Sequence, residues 1–89
     1  MLSSNYYVLT FDSTHDAISS EKLLKELLPI KVVPTPRVIS ASCGIAIRVE
    51  EELFEKLKAL LDEGRLSGND YKLYHIYRNE ERVLTAEQL

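Results

Sequence analysis

The fold is decided by the sequence IAIRVEEELFEKLKALLDEG, which occupies residues 45–64. Its first five residues place Ile45, Ile47 and Val49 on one face, which is the two-residue period of a half-buried strand. Three glutamates then lie at the positive end of a predicted helix, and leucine recurs at helical spacing until Gly64, a residue type that often follows a helix. A strand that leads directly into an amphipathic helix indicates a domain that mixes both element types.

The residues before this stretch predict one more helix between two strands. Residues 6–11 are rich in aromatic and β-branched side chains, and Tyr7, Leu9 and Phe11 share one face in the two-residue period of a strand, which indicates a first strand. Asp12 or Ser13 could cap a helix, and Ser13 with Asp16 three positions later approximates a capping box. The helix is predicted to run to about Leu28. Residues 30–33 form a short predicted strand. The predicted inward residues of this helix are Ala17, Ser20 or Glu21, Leu24, and Leu27 or Leu28.

The residues after the stretch complete the predicted element order. Residues 71–78 read as a last strand in which both registers bury an aromatic side chain. Residues 79–89 are polar apart from three aliphatic residues, and they are predicted to form either a frayed tail or a short terminal helix. The order β-α-β-β-α-β predicts an α+β, ferredoxin-like sandwich, with a four-stranded antiparallel sheet and both helices on one face. We expect residues 1–89 to form a single domain.

Composition excludes several function classes. The net charge of -3 lacks the basic excess that phosphate backbones require, so we expect no nucleic-acid partner. No apolar run approaches the ~20 residues of a membrane span, and no signal peptide is evident, which predicts a cytoplasmic protein. The single cysteine and the two histidines lack any metal-ligand spacing, and no glycine-rich phosphate loop is present. We therefore expect neither a metal nor a cofactor.

The connection at residues 34–44 is the candidate functional segment. It is longer than the ~2–6 residues of an ordinary connection, and it contains two of the three prolines and the only cysteine, Cys43. Prolines stiffen its entry, and Gly44 leaves room at its exit. The predicted topology places this loop at the same edge of the sheet as residues 12–15, where the first helix begins.

The chemistry of this edge would be that of a thiolate. A helix N-terminus, a cation and hydrogen-bond donors each lower a cysteine pKa. Arg37 could supply the cation, and Ser40 and Ser42 could supply hydroxyl donors. His15 could move a proton, because histidine titrates near neutrality. The candidate site consists of Cys43 with supporting residues Ser13, Thr14, His15, Arg37, Ser40, Ser42 and Gly44.

Two alternatives remain open on the residues alone. Cys43 is equally compatible with a small buried hydrophobic residue at the start of a strand, since lone cysteines are often buried. His15 is compatible with an ordinary surface or capping residue. His75 is predicted to be an ordinary member of the last strand.

The loop also carries a resemblance to a known family. Residues 11–17, FDSTHDA, and residues 34–46, PTPRVISASCGIA, resemble a selenium/sulfur carrier-like family, and the likeness covers nearly the whole chain. The most specific part is the pattern Pro-Arg-x-x-Ser-x-x-Cys-Gly, which ends at Gly44. The same domain resembles the C-terminal part of some bacterial selenium-metabolism proteins, where it follows a sulfur-carrier domain with its own Cys-Pro motif. That carrier domain is not in this sequence.

The resemblance implies a carrier rather than a turnover enzyme. Cys43 would accept sulfur or selenium from a donor such as a cysteine desulfurase, hold it as a persulfide or perselenide, and pass it to an unknown acceptor. The alternative from a different class is a non-catalytic interaction or regulatory module. Such a module could form a homodimer that pairs through the exposed edge of the second strand. A third hypothesis is a thiol redox sensor that dimerises through Cys43.

Overall fold

A computed structural model describes residues 5–39, 44–66 and 71–89. Its elements alternate in the order that the sequence predicts as far as the fourth strand, and one more strand follows. The elements are β1 (Tyr6–Phe11), α1 (Thr14–Leu24), β2 (Lys31–Pro34), β3 (Ile45–Glu50), a 3₁₀ turn (Glu51–Leu53), α2 (Phe54–Asp62), β4 (Tyr71–Arg78) and β5 (Leu84–Gln88).

The strands form one five-stranded sheet in the order β2-β3-β1-β4-β5. Every neighbouring pair is antiparallel. The prediction of an α+β fold with two helices and an antiparallel sheet is therefore confirmed, and the number of strands is corrected from four to five.

The extra strand lies where a tail or a short helix was expected. β5 pairs with β4 through a hairpin that Asn79 closes: its side-chain oxygen accepts the N–H groups of Glu81 and Val83, at 2.9 and 3.0 Å. Arg82 adopts a left-handed backbone with φ of 65°. The prediction for residues 79–89 is wrong because a mostly polar strand gains its stability from the neighbouring strand rather than from its own composition.

The larger core lies between the sheet and the two helices. Side chains of β1 and β3 share one buried cluster with side chains of α1 and α2, so both helices cover the same face of the sheet. Ile45, Ile47 and Val49 all contact this cluster, as their alternation predicts. The buried members are Leu9, Phe11, Ala17, Leu24, Leu28, Ile47, Val49, Leu57 and Leu66.

Helix α1 is shorter than predicted. It ends at Leu24 and is followed by a turn in which the carbonyl of Leu24 accepts the N–H of Leu27 at 2.9 Å, in the tighter 3₁₀ spacing, and the N–H of Leu28 at 2.7 Å. This turn leaves Leu27 exposed and buries Leu28, and it resolves the alternatives that the sequence left open. Within the described ranges, no helix has both the length and the apolar character needed to cross a membrane.

The other face of the sheet carries a smaller core without a helix. Val8, Ala46 and Ile76 are buried there together with Ile39, which comes from the loop after β2. Ile39 is held by a turn in which its N–H bonds the carbonyl of Pro36 at 3.0 Å. The candidate loop is thus fixed to the sheet by one of its own apolar side chains.

Candidate functional site

The candidate site is at one edge of the sheet, where β1 ends and β3 begins. β1 and β3 are antiparallel, with Tyr6 opposite Glu50 and Leu9 opposite Ile47. Continuing this register places Phe11 opposite Ile45, so the turn that leads into α1 lies at the same edge as Gly44. The strand pairing therefore places residues 12–15 and Gly44 at the same edge of the sheet, as the predicted topology does.

Helix α1 begins at this edge with a side-chain cap. Ser13 has an extended backbone, with φ of -138° and ψ of 154°, and its Oγ accepts the N–H of Asp16 at 3.1 Å. This bond satisfies one of the N–H groups that have no partner within the helix. Thr14 and His15 occupy the first turn and are exposed. Ser13 is therefore the helix cap, and the His15 ring lies at the protein surface.

The described part of the loop is ordered by two backbone hydrogen bonds. Thr35 donates its N–H to the carbonyl of Gly44 at 3.0 Å, which extends the β2–β3 pairing past Pro34, and the Pro36–Ile39 turn follows. Arg37 is exposed within this turn, next to Pro36. Arg37 is therefore accessible to solvent, while Ile39, two residues later, is buried.

Gly44 is exposed, and open space surrounds it. A Cβ built on Gly44 would meet no heavy atom within 4 Å. Close packing therefore does not require glycine here.

Three predicted site residues lie outside the described residues. These are Ser40, Ser42 and Cys43. The described residues that flank them along the chain are Ile39, which is buried, and Gly44, which is exposed. The roles predicted for the thiol and for the two hydroxyl groups stay predictions.

A second feature, which the sequence analysis missed, lies beside α2. The rings of Tyr7 and Phe54 stack at 3.9 Å between centroids, His75 stacks on Tyr7 at 4.8 Å, and Tyr77 follows His75 at 5.0 Å. A groove of about 560 Å³ runs past this stack towards Tyr71. The two-residue alternation of β4 could have placed the rings of Tyr71, His75 and Tyr77 on one face of the sheet. Only the tertiary structure brings Phe54 to that face.

No metal centre is seen in the described part of the chain. Across residues 5–39, 44–66 and 71–89, no three side chains of histidine, cysteine, aspartate or glutamate are grouped so that they could hold a metal ion.

The fold and this edge define the class of the protein: a small α+β domain whose single cysteine belongs to the loop that enters β3. Comparison with known families gives the particular assignment. A family model described as "Putative Se/S carrier protein-like" matches residues 6–72, so the chain belongs to this family. The matched region includes α1, the whole candidate loop and the first two residues of β4. No curated protein and no solved structure matches the chain significantly.

Proposed function

We propose that this protein carries sulfur or selenium on Cys43, as a persulfide or a perselenide. The observation that carries the proposal is the family match, which spans the segment containing this cysteine. The sequence contains no other cysteine, so a single loaded position is expected for each chain.

The loading step is an exchange at sulfur. The Cys43 thiolate attacks the outer sulfur of a persulfide on a donor protein, a new S–S bond forms at Cys43, and the bond to the donor's inner sulfur breaks. The donor cysteine leaves as a thiolate, so the step needs no external oxidant or reductant. With a perselenide donor, the outer atom is selenium and an S–Se bond forms. Delivery to an acceptor is the same exchange in the opposite direction.

The residues at the sheet edge would support the anion. Arg37 would place a positive charge near the thiolate, and the N-terminus of α1, capped by Ser13, would contribute the positive end of its dipole. His15 would exchange a proton with the bound persulfide. The exposure of Arg37, His15 and Gly44 supports this assignment, since a donor protein must reach the loop.

Thr14, Ser40 and Ser42 complete the proposed set. Thr14 lies in the first turn of α1. The hydroxyl groups of Ser40 and Ser42 would donate hydrogen bonds to the terminal sulfur or selenium. The donor would be a protein such as a cysteine desulfurase, and a reducing compartment such as the cytoplasm would keep the thiol available.

We assign the first four strands and both helices to a ferredoxin-like arrangement. The strand order β2-β3-β1-β4 and the shared helix-facing core support this assignment. β5 is then an addition beside β4.

The test is intact-mass analysis after incubation with a cysteine desulfurase, pyridoxal phosphate and cysteine. The wild-type chain should gain the mass of one sulfur atom, and a thiol reductant should remove it. Cys43→Ser should gain nothing. Arg37→Gln should still load, but more slowly, whereas the matched variant Arg65→Gln, in an exposed position after α2, should load at the wild-type rate.

Two results would overturn the carrier proposal. One is a wild-type chain that is never loaded while the desulfurase itself is shown to hold a persulfide. The other is equal loading of the Cys43→Ser variant. A reducible covalent dimer formed in preference to the persulfide would indicate a redox sensor instead.

A further inference from the structure

β5 is an open edge of the sheet and is poorly protected. It pairs with β4 on one side only. Natural proteins protect such edges with proline, lysine or short strands, because unpaired backbone groups can pair with another chain. The opposite edge, β2, has four residues, begins at Lys31 and ends at Pro34. β5 has five residues and contains neither proline nor lysine.

The backbone groups that face outward can be identified from the pairing with β4. Leu89 donates its N–H to Leu73 at 2.9 Å, and Val83 accepts the N–H of Asn79 at 3.0 Å, so these odd-numbered positions point towards β4. The backbone N–H and C=O groups of successive residues point to opposite sides of a strand. The N–H and C=O groups of Leu84, Ala86 and Gln88 therefore point away from the sheet.

The side chains along this edge are arranged symmetrically about Ala86. Val83 and Leu89 lie at equal distances in sequence on either side of it. They are the most exposed large hydrophobic residues in the described part of the chain, at 54% and 56%. Thr85 and Glu87 occupy the positions between them, on the same face of the strand.

We propose that β5 pairs with β5 of a second copy of this chain, antiparallel, about a twofold axis at Ala86. In this register Leu84 of one copy exchanges backbone hydrogen bonds with Gln88 of the other. The Ala86 residues of the two copies exchange backbone hydrogen bonds with each other. Val83 lies opposite Leu89 of the second copy, in the non-hydrogen-bonded positions where side chains approach most closely. The two exposed hydrophobic residues are thus covered by each other.

Neighbouring registers are less favourable. An axis at Glu87 would place its carboxylate opposite Glu87 of the second copy, and like charges directly opposite each other destabilise a sheet. An axis at Thr85 would place Val83 opposite Glu87, and would bring Arg82, with its left-handed backbone, into the pairing. The axis at Ala86 places Glu87 opposite Thr85, which is polar and uncharged, and of these three axes it alone places Val83 opposite Leu89.

The expected dimer is weak. Two short strand edges bury less than the roughly 1,600 Å² of a standard interface, so association should be reversible and dependent on concentration. β5 lies outside the residues matched by the family model, which end at residue 72. The proposal is therefore independent of the carrier function.

The test is sedimentation velocity over a series of protein concentrations, in the Cys43→Ser background so that no disulfide can form. The apparent mass should rise from one chain towards two. Thr85→Lys places an opposite charge across from Glu87 twice in each dimer and should lower Kd by roughly three- to tenfold. Thr85→Glu should raise Kd by a similar factor.

A proline pair tests which edge is used. Ala86→Pro removes an outward N–H of β5 and should abolish the dimer. Val32→Pro is the matched control: Thr35 and Gly44 are hydrogen-bonded, so by alternation the N–H of Val32 points outward from β2, and this variant should dimerise normally. Circular dichroism checks that each variant is folded, and the Thr85 variants decide the question if Ala86→Pro does not fold.

The proposal is overturned if the Cys43→Ser chain stays monomeric at every concentration. It is also overturned if the two Thr85 variants shift Kd in the same direction. Loss of the dimer in Val32→Pro, with Ala86→Pro unaffected, would assign the interface to β2 instead.

Discussion

The two faces of the sheet are closed in different ways. One face is covered by α1 and α2, and its buried cluster draws on both helices, two strands and two loops. The other face has no helix, and its smaller cluster includes one loop residue, Ile39, together with strand residues. The covered face is therefore held mainly by nonlocal helix packing, whereas the second face depends on the loop that carries the candidate site. A change in the buried cluster of the second face should therefore alter both the stability of the protein and the position of that loop, because Ile39 belongs to this cluster and not to the other.

The largest expected effect is on the covered face. Leu24→Ala removes a fully buried side chain of α1, and it should lower the free energy of unfolding by about 3 kcal/mol through lost burial and a residual cavity. Leu27→Ala, at an exposed position just after α1, is the matched control and should change it by less than about 0.5 kcal/mol. Urea denaturation measures both variants. Equal effects would contradict the assignment of Leu24 to the core.

The second prediction concerns the face without a helix. Ile39→Ala should lower the free energy of unfolding by about 2 kcal/mol, less than Leu24→Ala because the loop can partly collapse into the space. Val38→Ala, next to it and exposed, should have almost no effect. If Ile39→Ala matches its neighbour, the loop is not fixed to the sheet through this side chain. Hydrogen exchange at the Ile39 amide should also become faster in the alanine variant.

The third prediction tests the N-terminal cap of α1, which lies beside the candidate site. Ser13→Ala removes the acceptor for the Asp16 amide and should cost about 1 kcal/mol, whereas Ser13→Asp should retain most of the stability. Ser19→Ala, within α1 and exposed, should be neutral or slightly stabilising because alanine favours helix. Thermal unfolding followed by circular dichroism distinguishes them. A Ser13→Asp variant as unstable as Ser13→Ala would argue against capping.

The smallest expected effect lies on the face without a helix. The Arg48 guanidinium lies 3.9 Å from the centre of the Tyr6 ring and donates to both carboxylate oxygens of Glu50, at 3.0 and 3.3 Å. Arg48→Lys keeps the charge but loses the two-point geometry, and should cost about 0.5–1 kcal/mol.

Arg65→Lys is the control for Arg48→Lys. Its pair with Glu63 is more exposed, at 51% and 58% against 23% and 29% for the Arg48–Glu50 pair, so the change should be close to zero. Denaturation at low and high salt compares the two variants. A larger loss at Arg65 would show that partial burial does not strengthen the Arg48 cluster.

Most of the element order could be predicted from the sequence, and the errors have physical causes. The alternation in β3 and the leucine spacing in α2 each reflect burial on one side, so local patterns were sufficient. The sequence extended α1 to about Leu28 and left open whether Leu27 or Leu28 is buried, and packing decides both. β5 was missed because its stability comes from pairing with β4, and the turn residue Asn79 was the one local signal.

For the candidate site, the sequence was sufficient to identify an edge and a cap. The order of the elements implied that the start of α1 and Gly44 share one end of the sheet, and Ser13 was one of two capping candidates. The stack of Tyr7, Phe54 and His75 could not be predicted, because those rings come from three different elements. The positions of Ser40, Ser42 and Cys43 stay predictions.

The sequence by itself determined the order of the first four strands and the two helices, the region where α1 begins, and that the chain has one thiol, because these depend on side-chain period, local hydrogen bonding and covalent composition. Only the tertiary structure decided that the sheet has a fifth strand, that Ile39 fixes the candidate loop, and that β5 rather than β2 is the less protected edge. Those features depend on contacts between residues far apart in the chain, and such contacts leave no periodic signal in the sequence.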